Sequence, residues 1–338
     1  GLPRIEGYKW LRQGSNNAMS PALVVPWILS NIIKDKPLLQ SALTKRPYMD
    51  NDSETAILIN VDETVAEPII QLSFGNTKLV TWTSVPHNMS LHPFSMSLLP
   101  ALDETSPLLS LDLTLELQGR RYDGLVRIEQ TLQLMRTRIP QQGSYSQIDF
   151  RRRGLLVNGN PFYVIGLYTG DSDEKHDSPS AWDDPAVSGP GEEQKIAEEI
   201  TRNREHGLTS IMVYHFNTLP EDVQQRLLDV CHAHGLFLMY PIHVLLKPVA
   251  AHETKSDKAW EAVKKIIERW QHHPAILGWY VCDDCTNSWA KHAENSSMDF
   301  IYERIKRLDP YHVVVGAIES QQLDIFTKKS QYSQGVSL

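Results

Sequence analysis

TSIMVYHFNTLPEDVQQRLLDVCHAHGLFLMYPIHV, residues 209–244, decides the fold. Its first eight residues are a short apolar run that reads as a buried strand. PEDVQQRLLDVCHAHG follows as a helix, opened by Pro220 and closed by Gly235. LFLMYPIHV is a second strand-like run, ending at His243 and Val244. Two strands separated by a helix of this length form a βαβ unit, and its strands run parallel.

The same rhythm continues on both sides. Upstream, LLVNGNPFYVIGLYTG (155–170) reads as a strand, and EEQKIAEEITRNREHG (192–207) as an amphipathic helix ending at Gly207. Downstream come the helix DKAWEAVKKIIERWQHH (257–273), the strand AILGWYV (275–281), the helix SSMDFIYERIKRLD (296–309) and the strand HVVVGAI (312–318). That predicts parallel strands near Tyr163, Ile211, Leu238, Leu277 and Val314. A (β/α)8 TIM barrel has eight strands, so 151–338 is expected to be a partial barrel. Five strands leave two unpaired parallel edges, so the rest of the barrel is expected to be missing from this chain or supplied by another polypeptide. An open doubly wound sheet is the competing fold.

Residues 53–137 follow a different period. ETAILINVDE, EPIIQLSFGN, KLVTWTSV, SLDLTLELQG and GLVRIEQTLQLMR alternate apolar and polar positions between turn residues. Such runs predict an antiparallel β-sandwich over 1–150, with the first fifty or so residues as an irregular lead-in.

Composition narrows the partners. A formal charge of −8 argues against nucleic acid, whose phosphates need a concentrated basic surface. The run Arg151, Arg152, Arg153 is read as a solvated strand start. ALVVPWIL (22–29) is too short to span a membrane and is broken by Pro26. Sequons at Asn51, Asn88 and Asn295 point to a secreted or lumenal glycoprotein. Of three cysteines, Cys282 and Cys285 form a CxxC with no second pair or spaced histidines, so no metal site is expected. A local Cys282–Cys285 disulfide or two buried thiols fit better, and Cys231 reads as a small buried helix residue. No cofactor is expected.

Five segments, in order, resemble the family-2 glycoside hydrolases, the β-galactosidase, β-glucuronidase and β-mannosidase group. LLVNGNPFYVIGLY resembles the family's "NGKPF…GVN" opening of the first barrel strand, at Asn158, Gly159, Pro161, Phe162 and Gly166. HGLTSIMVYHF is similar to its second strand at Gly207 and His215, and LLDVCHAHGLFLMYP to the "CDELGLYV" passage before the third. HHPAILGWYVCDD is similar to "HPSVIMWSLGNE" at His273, Pro274, Ile276 and Trp279, and LDPYHVVVGA to "LDPTRPVT". The resemblance spans roughly Leu155 to Ala317 and implies a sandwich followed by a barrel.

It also implies a site. The family's acid/base glutamate and the asparagine before it correspond to Asp284 and Asp283, and its second-strand arginine to Met212 or to nothing. Retaining glycosidases pair an acid/base with a nucleophile about 5–5.5 Å away. The family's nucleophile, on the seventh strand, is expected beyond Leu338. Asp283 and Asp284 are not that pair, because neighbours on a strand face opposite ways. Asp284 takes the acid/base position, and His215, Tyr214, His243 and Trp289 are the candidate sugar contacts. The altered motif implies a catalytically degenerate barrel kept for carbohydrate binding or structural assembly. An active retaining β-glycosidase, with Asp284 as acid/base, is the alternative.

Overall fold

A computed structural model describes residues 38–52, 55–102, 107–122, 124–169, 190–214, 216–250, 256–283 and 297–317. Apart from one 3-10 turn at Met96–Leu98, the first part is built of strands: β1 (Leu39–Leu43), β2 (Lys45–Arg46), β3 (Tyr48–Met49), β4 (Ala56–Val61), β5 (Ala66–Phe74), β6 (Thr77–Trp82), β7 (Ser90–Pro93), β8 (Leu108–Arg121) and β9 (Gly124–Thr137). All but β2 form two sheets, ordered β1-β4-β7 and β3-β9-β8-β5-β6. Leu111, Leu113, Leu115 and Leu117 of β8 are buried in alternation with exposed or half-buried polar residues. They meet Ile57, Ile59 and Val61 of β4 in one core shared by both sheets, the layered packing the alternation predicts. The lead-in differs from expectation: Leu39–Leu43 pairs along β4, and β3 runs parallel to β9. A five-residue strand with two buried ends carries no readable alternation.

β10 (Ser146–Asp149), β11 (Gly154–Val157) and β12 (Asn160–Phe162) follow, in a four-stranded sheet ordered β12-β11-β10-β2. Position 150/151 therefore falls inside the turn of the β10–β11 hairpin, and the three arginines are that turn, all exposed. Asp149 holds it, accepting from the Arg152 amide at 3.0 Å and its guanidinium at 2.9 Å.

The remainder is β13 (Gly166–Thr169), α1 (Pro190–Glu205), β14 (Ser210–Val213), α2 (Glu221–Ala233), β15 (Phe237–Pro241), α3 (His243–Ala250), α4 (Ser256–Trp270), β16 (Ile276–Cys282), α5 (Ser297–Leu308) and β17 (Val313–Gly316). Tyr163 lies outside β13, which begins three residues later. α1 and α2 stop where a glycine takes a left-handed φ, +87° at Gly207 and +68° at Gly235. The predicted strand at 236–244 ends at Pro241, and His243 opens α3 instead.

These five strands are all parallel and ordered β13-β14-β15-β16-β17, the order of the chain. A doubly wound sheet reverses its strand order at a switch point, and none occurs here. Right-handed crossovers that never reverse put every helix on one face, as in a barrel. Side chains confirm the two faces. Ile211, Val213, Leu238, Tyr240, Trp279, Val281 and Val314 pack with the helices. Met212, Met239, Leu277, Tyr280 and Val313 face the other way, against Ile148, Leu155 and Val157 of the β10–β11 hairpin. The sheet is a curled half-barrel, buried on both faces, with the hairpin closing the N-terminal end of its inner side.

That end is bolted by polar contacts. Ser144 Oγ donates to the Ile276 carbonyl at 2.7 Å, and Ser146 Oγ donates to the Leu277 carbonyl at 2.6 Å while accepting from the Val313 amide. Arg46 ties the sandwich to α5: its guanidinium donates to Gln133 at 2.6 Å and lies 5.1 Å from the Tyr302 ring.

Candidate functional site

In parallel barrels the C-terminal ends of the strands carry the chemistry, and the N-terminal ends carry stability. Both ends of this sheet hold polar clusters, so geometry must separate them.

At the N-terminal end, Asp309 follows α5 and is fully buried. Its carboxylate accepts from the Trp279 indole at 2.6 Å, from His312 Nδ1 at 2.7 Å, and from the amides of Tyr311 and His312. His312 Nε2 lies 3.2 Å from Ser144 Oγ. Ser, His and Asp in this order invite a catalytic reading, which burial rules out. All three are sealed from solvent, and the serine hydroxyl is committed to a backbone carbonyl. Burial pushes the Asp309 carboxyl up, but His312, Lys306 and the Trp279 N–H overturn that and hold it below the usual carboxylate range. The "LDP" and Trp279 positions are thus structural. So is His273, whose Nδ1 accepts from the Ala275 amide while Nε2 meets Asp229 at 3.1 Å.

The C-terminal end looks different. Tyr214 follows β14, His243 stands two residues past β15, and Asp283 follows β16. The Tyr214 and His243 rings meet edge-on at 4.4 Å, and His243 meets Tyr280 edge-on at 5.3 Å. The Tyr280 hydroxyl donates to Asp283 Oδ1 at 2.6 Å. Four side chains from three successive strands therefore make one ladder, with Tyr280 and His243 buried and Tyr214 and Asp283 half-buried. The two half-buried members, Tyr214 and Asp283, present a ring and a hydrogen-bond acceptor, the pair of contacts that a polyhydroxylated ligand uses, and the buried His243 and Tyr280 back them.

Tyr214, His243 and Asp283 are among the residues singled out from the sequence, although there Asp284 rather than Asp283 was expected to face the pocket; Tyr280 is not among them. Asp284, His215, Trp289, Cys285 and Asn295 lie outside the described residues. Asn51 and Asn88 are exposed, in the turn after β3 and the bend before β7. Cys231 is free and buried, and burial pushes its thiol up to about 12. Cys282 is buried and disulfide-bonded, with its partner outside the described residues. Among the described residues no group of three His, Cys, Asp or Glu side chains could hold a metal. None of their helices is long and apolar enough to cross a membrane.

No family model and no curated protein matches the chain. Among solved structures, it is similar to a GH2 β-galacturonidase from Eisenbergiella tayi, at 14% identity and a TM-score of 0.37, over 83% of this chain and 47% of that one. A β-glucuronidase from Parabacteroides merdae matches at 14% identity and a TM-score of 0.32, over 83% of this chain and 34% of that one. A β-glucuronidase from Bifidobacterium dentium matches at 14% and 0.34, over 82% and 43%. The chain thus spans less than half the length of these enzymes. At such TM-scores the likenesses carry no weight for fold or activity.

Proposed function

We propose that this chain is a glycoside-hydrolase-like protein whose half-barrel binds carbohydrate at the C-terminal ends of its strands, without turnover. The observation that carries this reading is the convergence of Tyr214, His243, Tyr280 and Asp283 at the end of a singly wound parallel sheet where such folds place ligands. Degeneracy is supported by the motif: an aspartate is one methylene shorter than glutamate, so Asp284 reaches less far as an acid/base. The test is a titration of the methyl β-glycosides of glucose, galactose, mannose and glucuronic acid, followed by amide NMR. One of them is expected to perturb Tyr214, His243, Tyr280 and Asp283, and Asp283→Ala to abolish the effect. No perturbation by any sugar overturns the reading. Aryl β-glycosides are expected to survive; turnover lost in Asp284→Asn would make the chain an active retaining glycosidase instead.

The same reading includes secretion, glycans on Asn51, Asn88 and Asn295, a Cys282–Cys285 bond, His215 and Trp289 as further sugar contacts, and a division near 150/151. Three cysteines with Cys231 free support that pairing. Among the described residues β13 and β17 are the two edges of the sheet, the places where a further polypeptide completing the barrel would pair. Protein secreted from eukaryotic cells should give a Cys282–Cys285 peptide under non-reducing mapping, occupied sequons, and a bound partner in native mass spectra. Free thiols at both cysteines and bare asparagines would remove the secretory reading.

A further inference from the structure

The geometry points to Tyr280 as a positioning residue, which with a β-bulge at Val281 turns the Asp283 carboxylate onto the ligand-facing side of the half-barrel. On a regular strand, residues three apart face opposite ways, so Tyr280 on the inner face would leave Asp283 with the helices. β16 is not regular there. Tyr280 pairs with Val315 and Cys282 with Gly316, so two steps along β16 match one along β17. Val281 is the extra residue, and one extra residue shifts the alternation by one. Tyr280 and Asp283 then share a face, and the 2.6 Å bond between them is the direct sign of it.

The neighbouring chemistry supports the bulge. The Cys282 carbonyl accepts from the Ala317 amide at 2.8 Å, so the ladder resumes past the shift. Gly316 lets β17 approach, since a Cβ there would lie 2.9 Å from the Cys282 Cβ. Tyr280 itself is only 5% exposed, its ring held by His243 and by the apolar layer of Met212, Met239 and Leu277. A ring fixed in this way makes its hydroxyl a fixed donor, and a carboxylate bonded to it loses much of its rotational freedom. That loss is taken before a ligand arrives, which is how preorganised sites gain affinity. The role rests on the carbohydrate reading only for what the carboxylate meets, not for how it is held.

Two NMR measurements on the intact chain separate these. In the parent protein the Tyr280 hydroxyl proton should be visible and slow to exchange, and side-chain couplings should give Asp283 one χ1 rotamer. In Tyr280→Phe, which keeps the ring and loses only the hydroxyl, Asp283 should average over rotamers. An absent hydroxyl signal in the parent, or an unchanged single rotamer in Tyr280→Phe, overturns the positioning role even if the Phe variant proves unstable. A fixed Asp283 in a protein that binds none of the methyl glycosides sinks the carbohydrate reading alone.

Discussion

Asp309→Ala should cost about 3–5 kcal/mol of folding free energy, the loss expected when one partner of a buried ionic network is removed. The carboxylate serves four donors in a dry interior: the Trp279 indole, His312 Nδ1 and two backbone amides. Alanine satisfies none of them, and each buried donor left without a partner costs about 1–3 kcal/mol. It also leaves the Lys306 ammonium, buried one turn earlier, without the charge that offsets it. Against a typical domain stability of about 5–15 kcal/mol, this is enough to unfold a visible fraction of the protein. Asp309→Asn should fall between the two, because its one oxygen still accepts. Urea unfolding followed by tryptophan fluorescence measures both; a loss below about 1 kcal/mol in Asp309→Ala would show that the network is dispensable.

The contrast between the two ends of the sheet also shows what a linear sequence can and cannot hold. The βα rhythm from Glu192 to Val281 is local, written in apolar runs, Pro220, Gly207 and Gly235, and it maps onto α1, α2, α4, β14, β15 and β16 with shifts of a few residues. That Tyr214, His243 and Asp283 stand at or just past strand ends follows from it, since a strand end is a sequence position; the way Asp283 faces does not. Tyr280 was out of reach for a physical reason. Its sidedness relative to Asp283 depends on how β16 pairs with β17, and the register of a parallel pair is set by residues some 35 positions apart. The same holds for Ser144, Ser146 and Arg46, whose partners lie on distant elements. The short strands β1–β3 failed for lack of period. The LDPYH stretch was visible as a motif, yet its likeness to a hydrolase segment gave no clue that its aspartate anchors Trp279 at the N-terminal end of the sheet.

Stability should climb between pH 8 and 9, and Lys306 should be the cause. Its ammonium is fully buried, donating to the carbonyls of Pro310 and His312 at 2.9 and 2.8 Å. Burial draws its pKa down to about 8; Asp309 opposes that and Arg46 adds to it. The unfolded chain holds this proton up to about pH 10.4, so above pH 8 it binds more protons than the folded one. Stability then rises with pH, approaching about 1.4 kcal/mol per unit. Cys231 acts in the opposite sense. Its folded pKa is about 12, so the unfolded thiol begins to ionise first, near pH 8.5–9, and pulls stability back down. The two slopes nearly cancel above pH 9. Beyond about pH 10 the buried hydroxyls of Tyr48, Tyr240 and Tyr302, all raised by burial, add to the decline. The wild-type curve should therefore rise, flatten and fall. Lys306→Met should show no rise and should fall from about pH 9, while Cys231→Ala should extend the rise towards pH 10. Urea midpoints for the three proteins across this range decide the matter; parallel curves for wild type and Lys306→Met would mean that the buried ammonium keeps an ordinary affinity for its proton.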